Sequence, residues 1–207
     1  IAFGINCNLI LSYRNTFRTI GDTPIAMVSP EALIPFKTDY GRRRKDREVS
    51  IDTAFEEKVS IVYYYPNMKP DIIEALIDHD YRGIVIAGTG LGHVNKPLYE
   101  PLRAAVKKGI AVYMTVQTLW GYVQMYVYDT GRDLMELGVV PASNMLPEVA
   151  YMKLCWVLGH TREPARVKEM MLTPIAGEIT EREPPNGYIV LQGGIPEVEE
   201  FIGRHAL

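Results

Sequence analysis

The sequence predicts an α/β fold, a three-layer sandwich built on a mainly parallel sheet, and three observations carry that expectation. From Val59 to Val140, apolar runs alternate with amphipathic segments, the order of strands joined by crossover helices. Gly83-Ile-Val-Ile-Ala87 is short and nearly all apolar, as a central parallel strand covered on both faces must be. Two consecutive crossovers of the same right hand then bring helices back onto the sheet.

Val59-Ser-Ile-Val-Tyr-Tyr-Tyr65 is the first strong strand, ended by Pro66 and Asn67. Pro70 suits a first helical turn, after which Ile72, Ile73, Leu76 and Ile77 form one apolar helical face that runs out near Asp80. Beyond Gly83–Ala87, Leu98, Leu102, Ala105 and Val106 mark a second crossover helix. Gly109 ends it, and the strand Ile110–Met114 follows. Ser143 or Asn144 is expected to cap a long helix with Pro147 in its first turn and a stop at Gly159. This helix is apolar nearly all round, so it is expected to be buried. Glu163–Met171 reads as another helix. A proline- and glycine-punctuated tail follows, with Tyr188-Ile-Val-Leu191 and a last short helix. The expected division is residues 1–50 as linker and remnant of a preceding domain, 51–183 as the α/β domain, and 184–207 as a carboxyl-terminal extension.

Composition narrows the function. With 207 residues, 47% of them hydrophobic, the chain can bury a full core. A formal charge of −3 argues against coating nucleic acid by bulk electrostatics. The basic run Arg42-Arg-Arg-Lys-Asp-Arg47 is interrupted and flanked by acid and reads as a solvated segment or a local RNA contact. Two cysteines, Cys7 and Cys155, make no disulfide framework. No apolar stretch approaches the roughly 20 residues of a membrane span, and no signal peptide is evident, so a soluble cytoplasmic protein is expected. The four histidines lack metal-site spacing, so no metal is expected.

Chemistry is expected at the carboxyl ends of the strands, where open parallel sheets receive ligands. Gly88, Thr89, Gly90, Leu91, Gly92 and His93 form a glycine-rich loop leaving the second strand. Its spacing matches neither the dinucleotide fingerprint nor the phosphate loop, and a tight turn that binds nothing is the alternative. Thr115, Gln117 and Thr118 follow the third strand; they hydrogen-bond either a small polar ligand or the backbone of the sheet edge. Asp129, Thr130, Arg132 and Asp133 read as a charged turn before a helix. Leu91, Leu119, Trp120, Tyr122, Met125 and Tyr126 crowd this region, an expected self-association surface.

Gly83-Ile-Val-Ile-Ala-Gly-Thr-Gly-Leu-Gly-His93, Tyr128-Asp-Thr-Gly-Arg-Asp-Leu134 and Asn144–Gly159 resemble the carboxyl-terminal domain of the asparaginase/glutaminase family, a flavodoxin-like sandwich. Thr16–Ala26 and Asp39–Arg44 are most similar to its archaeal branch, the D subunit of glutamyl-tRNA(Gln) amidotransferase. The resemblance implies release of ammonia from a side-chain amide, glutamine or asparagine, by threonine attack. It also implies a homodimer, a partner subunit that uses ATP and magnesium, and tRNA(Gln) reached through that partner. The family's nucleophile motifs, similar to T-G-G-T-I and H-G-T-D-T, do not occur here. No catalytic residue and no cofactor are therefore expected in this chain, which is expected to be inactive alone. Leu91 stands where secreted asparaginases place an asparagine, and Tyr122 where the archaeal branch places an arginine. The alternative is a non-catalytic dimerisation or small-ligand-binding module.

Overall fold

The computed structural model describes residues 7–9, 17–28, 30, 32–41, 46 and 48–183. The expectations for Tyr188–Leu191, for the last helix and for most of the Arg42–Arg47 run lie outside them. The chain divides into two compact units, one containing Thr53–Ile179 and the other Cys7–Asp52. Among its described residues the Cys7–Asp52 unit has two antiparallel ribbons. One pairs β1 (Cys7–Leu9) with β2 (Phe17–Thr19), and the other pairs β3 (Ala26–Val28) with β4 (Leu33–Pro35). In the second ribbon the N–H groups of Phe36 and Lys37 donate to the Ile25 carbonyl, and Lys37 pairs with Asp22.

The Thr53–Ile179 unit holds the parallel sheet. Its strands are β5 (Val59–Tyr63), β6 (Gly83–Gly88), β7 (Ala111–Val116) and β8 (Val140–Pro141), hydrogen-bonded in that order and all parallel. Between them run α1 (Asp71–Asp78), α2 (Tyr99–Lys107) and α3 (Asp129–Glu136), and after them α4 (Pro147–His160) and α5 (Pro164–Leu172). Every residue of β6 is buried, so the all-apolar run does mark the centre of the sheet.

Alternation along the strands sorts the two faces. Ile84, Ile86, Val112 and Met114 form one core with Ile73 of α1, Leu102 and Ala105 of α2 and Leu134 of α3. Gly83, Val85 and Ala87 point the other way, toward α4. A Cβ on Gly83 would stand 2.8 Å from Leu154 Cδ2, so small residues on this face let α4 sit close. The three layers are thus α1–α3, the sheet, and α4–α5.

Several boundaries differ from the sequence reading for identifiable reasons. α4 does not stop at Gly159; it continues to His160. Glycine stands there because the segment Ala54–Phe55 crosses the helix so closely that a Cβ would come within 2.5 Å of its backbone, and Glu56 N–H donates to the Cys155 carbonyl. Neither Ser143 nor Asn144 caps α4. The N-cap is Leu146 without a side-chain bond, and Pro147 with its fixed φ opens the helix. Ser143 instead takes a positive φ of 60°, and its carbonyl accepts from Val123 N–H. Asp129, Thr130, Arg132 and Asp133 lie inside α3 and not in a turn before it. Glu163 caps α5, its carboxylate accepting from Ala165 and Arg166 N–H at 3.0 and 2.7 Å.

The apolar helix α4 also hides a charge. Lys153 and Glu178 are both 0% exposed and paired, and Lys153 Nζ donates to the Thr173 carbonyl at 2.7 Å. Burial alone would push the Glu178 carboxyl up. The hydrogen bonds from Lys153 and from Ala176 and Ile175 N–H outweigh it and hold the carboxyl below its usual range. The pair pins the segment after α5 onto α4. Glu178→Gln or Lys153→Met should each destabilise the fold by about 3–5 kcal/mol, since either leaves an uncompensated buried group, while the double replacement recovers much of the loss. Because the folded carboxyl titrates low, its contribution is present above the ordinary carboxylate range and vanishes as pH falls through the depressed value. Urea denaturation midpoints from neutral pH downward, compared between parent and Glu178→Gln, check this; parallel acid profiles would contradict it.

Candidate functional site

The sheet register brings the two predicted loops to one edge. Ala87 pairs with Thr115 and Gly88 with Val116, and Gln117 N–H donates to the Gly88 carbonyl at 3.0 Å. Thr115 is not a loop residue. β7 runs two residues beyond the predicted end, and the buried Thr115 hydroxyl donates to the Ile86 carbonyl at 3.0 Å. Gln117 Nε2 reaches both the Tyr64 carbonyl at 2.5 Å and the Ala87 carbonyl at 2.8 Å, tying β5 to β6 where their ladder ends. These two side chains satisfy strand-end backbone. Thr118 beside them is exposed.

The glycine loop is folded on itself. Thr89 N–H donates to the His93 carbonyl, and Gly92 and His93 N–H both return to the Thr89 carbonyl. Those amides are thereby unavailable for cradling an anion. Gly88 is needed because a Cβ would meet His93 N and Met114 Sδ at 2.8 Å. Gly92 has φ 99°, and a Cβ there would meet Val123 at 2.8 Å. Gly90 at the tip, φ 54°, faces open space. Leu91 is half-buried, its carbonyl accepting from Gln124 N–H.

His93 joins this loop to α3. Its Nδ1 lies 3.1 Å from Thr130 Oγ1, whose backbone carbonyl accepts from the Tyr99 hydroxyl, and the Tyr128 ring centroid is 5.4 Å away. Burial lowers the imidazole's affinity for a proton. The neutral ring therefore offers Thr130 one nitrogen, while Nε2 is buried without a partner among the described residues, as is Asn95 Oδ1. His93 is a site residue in the sequence reading as well. Thr130 reads there only as part of a charged turn, and nothing in the sequence singles out Asn95.

A further pair at the same end has no sequence signal. The Tyr63 hydroxyl, at the end of β5, donates to Glu148 Oε1 in the first turn of α4 at 2.7 Å. Burial, then the Glu148 hydrogen bond and charge, push the phenol well above its usual range. Only the fold brings these two residues, 85 apart in the chain, together. Cys155 is buried, and burial pushes its thiol up to about 11, so it is inert. Among the described residues no cluster of three or more His, Cys, Asp or Glu is placed to hold a metal, and no helix is long and apolar enough to cross a membrane.

A family model for the glutaminase/asparaginase C-terminal domain matches residues 58–171. The chain belongs to that family. It is 48% identical over 179 residues to the D subunit of glutamyl-tRNA(Gln) amidotransferase from Pyrococcus furiosus, covering 86% of this chain and 41% of that protein. The corresponding protein of Methanothermobacter thermautotrophicus is 47% identical over 171 residues, covering 83% and 39%. The chain therefore spans about two fifths of the length of these relatives. Among solved structures, the thermostable L-asparaginase from Thermococcus kodakarensis superimposes with a TM-score of 0.72 at 30% identity, covering 84% of this chain and 53% of that one. A probable cytoplasmic L-asparaginase from Campylobacter jejuni gives 0.63 at 26% identity, covering 81% and 52%. The α/β sandwich is thus the family's carboxyl-terminal fold.

Gly92→Ala should cost about 1–3 kcal/mol, the strain of a positive φ joined to a Cβ clash. Gly90→Ala, with the same sign of φ and open space, should cost less. Thermal melts of the two variants check the order, and equal losses would show that the inward packing of Gly92 does not matter.

Proposed function

We propose that the chain is the carboxyl-terminal part of a glutaminase/asparaginase-type subunit that releases ammonia for glutaminyl-tRNA(Gln) formation, with the nucleophile carried outside these 207 residues. The observation that carries this reading is the family match over 58–171 together with relatives named as the D subunit of that amidotransferase. In that scheme a threonine elsewhere attacks the amide carbon of glutamine or asparagine, ammonia leaves, and water releases the acyl group. This chain supplies the edge that closes over the substrate: Gly88–His93 backed by Thr115, Gln117 and Thr118. An ATP- and magnesium-using partner subunit would take the ammonia to tRNA(Gln), and the setting would be cytoplasmic.

Hydroxyl usage at the edge supports an inactive isolated chain. Thr115 is committed to Ile86, and Thr89 Oγ1 donates to the His93 carbonyl at 3.3 Å. Thr130 faces a neutral imidazole, but no described residue holds that ring's other nitrogen, so the constellation lacks the orienting third member of a nucleophile set. Purified chain given glutamine or asparagine is expected to release no ammonia. Turnover abolished by Thr130→Val would overturn this assignment and make Thr130 the nucleophile.

The dimerisation reading rests on surface exposure. Met125, predicted to be part of an exposed patch, is fully buried, and Leu91, Leu119, Trp120 and Tyr122 are half-buried. The outward residues are Tyr126, Val127 and Tyr128, each more than half exposed, a run suited to an interface. A homodimer is expected by light scattering over a concentration series, weakened by Tyr126→Ser with Tyr128→Ser. A monomer throughout would remove this surface from consideration.

A further inference from the structure

A cavity of about 360 Å³ opens at the other end of the sheet from the glycine loop. The sheet terminates at β8, only two residues long, while the helical layers continue past it. Val106 of α2, Met135 of α3, Leu158 of α4 and Val167 of α5 line the gap, together with Ile110 and Val139. Cavities of this size and apolar lining are typical of small-molecule sites.

Its polar groups share one character. Tyr113 lines the cavity, is 2% exposed, and its hydroxyl makes no hydrogen bond to any described residue. Burial raises its affinity for the proton, so it stays a neutral donor. Arg162 and Lys168 also line the cavity. Arg162 shares one guanidinium nitrogen with Glu56 at 3.2 Å, and Lys168 has no ion pair among the described residues. No lining residue is acidic. Two cations and a donor hydroxyl around an apolar chamber complement a ligand with one anionic head and a hydrocarbon body.

We propose that this cavity binds an amphipathic monocarboxylate, of the class of short fatty acids and arylalkanoic acids. The apolar body lies between the α2–α3 and α4–α5 layers, and the carboxylate meets Tyr113, Arg162 and Lys168. The site is separate from the glycine-loop edge and does not depend on the ammonia-releasing role.

Octanoate is the probe, titrated into the 207-residue chain by calorimetry and followed by amide shifts in NMR spectra. Saturable binding is expected, with the largest shifts at Tyr113, Val140 and Val167. Tyr113→Phe, which keeps the ring, and Arg162→Gln, at an exposed position, should each weaken octanoate about tenfold. Octylamine, with the same tail and the opposite charge, should not bind. Met135→Trp should block octanoate by filling the chamber. The proposal is overturned if octanoate fails to saturate, if its shifts map to the glycine loop, if octylamine binds equally well, or if Tyr113→Phe binds octanoate as the parent does. Because every variant lies away from the carboxyl edge, the result says nothing for or against ammonia release.

Discussion

Because the four parallel strands are hydrogen-bonded in chain order, each right-handed crossover must return over the same face of the sheet. That constraint puts α1, α2 and α3 on one side and leaves the other side bare until the chain has finished the sheet. α4 and α5 then have to supply a whole layer by themselves. This explains why α4 buries eight of its residues and why β6 offers it glycine, valine and alanine in place of larger side chains. It also explains why one polar contact is tolerated inside. With no described helix after α5 to form another layer, the chain's return across α4 is anchored by Lys153 and Glu178. The hydrogen bonds from Ala176, Ile175 and the lysine outweigh the desolvation of the Glu178 carboxylate, whereas burial still lowers the proton affinity of Lys153.

The part of this that was legible in the sequence is the part governed by local periodicity. Gly83–Ala87 reads as a central strand because burial on both faces leaves no polar position, and Ile73, Leu76 and Ile77 read as a helix because their spacing repeats every turn. What failed were residues whose reason is a distant neighbour. Gly159 has the composition of a helix stop, yet it is a point of close approach by Ala54 and Phe55, about a hundred positions away. Lys153 sits in an apolar helix with its counter-ion 25 residues on, beyond any helical spacing.

At the carboxyl edge, sequence reading expected two loops to meet, as the register of β6 and β7 has them do, and left open which polar groups are free. Thr115 and Gln117 have the composition of ligand-binding residues, but where parallel strands end the ladder leaves carbonyls to be satisfied. Ile86, Ala87 and Tyr64 take up those two side chains. Without pairing geometry the two uses of a threonine or glutamine cannot be told apart. His93 is the reverse case. A lone histidine in a glycine loop gives no hint of its partner, and Thr130, 37 positions later, becomes its neighbour only because α3 begins beside the loop.

The closure of the glycine loop bears on how such an edge acts. A loop that binds anions by its backbone must keep several N–H groups pointed outward. Here those of Thr89, Gly92 and His93 are bonded within the turn, and Gly88 and Gly92 are glycine for lack of room, not for approach to a ligand. The loop is therefore a ledge closed by its own hydrogen bonds, and the groups it leaves around itself are side chains: exposed Thr118, the tip at Gly90–Leu91, and the imidazole behind it. With Leu91 at the tip the ledge presents a hydrocarbon where a secreted asparaginase is expected to present an amide. Any group directed at this edge would meet those side chains and not the backbone amides of Thr89, Gly92 and His93.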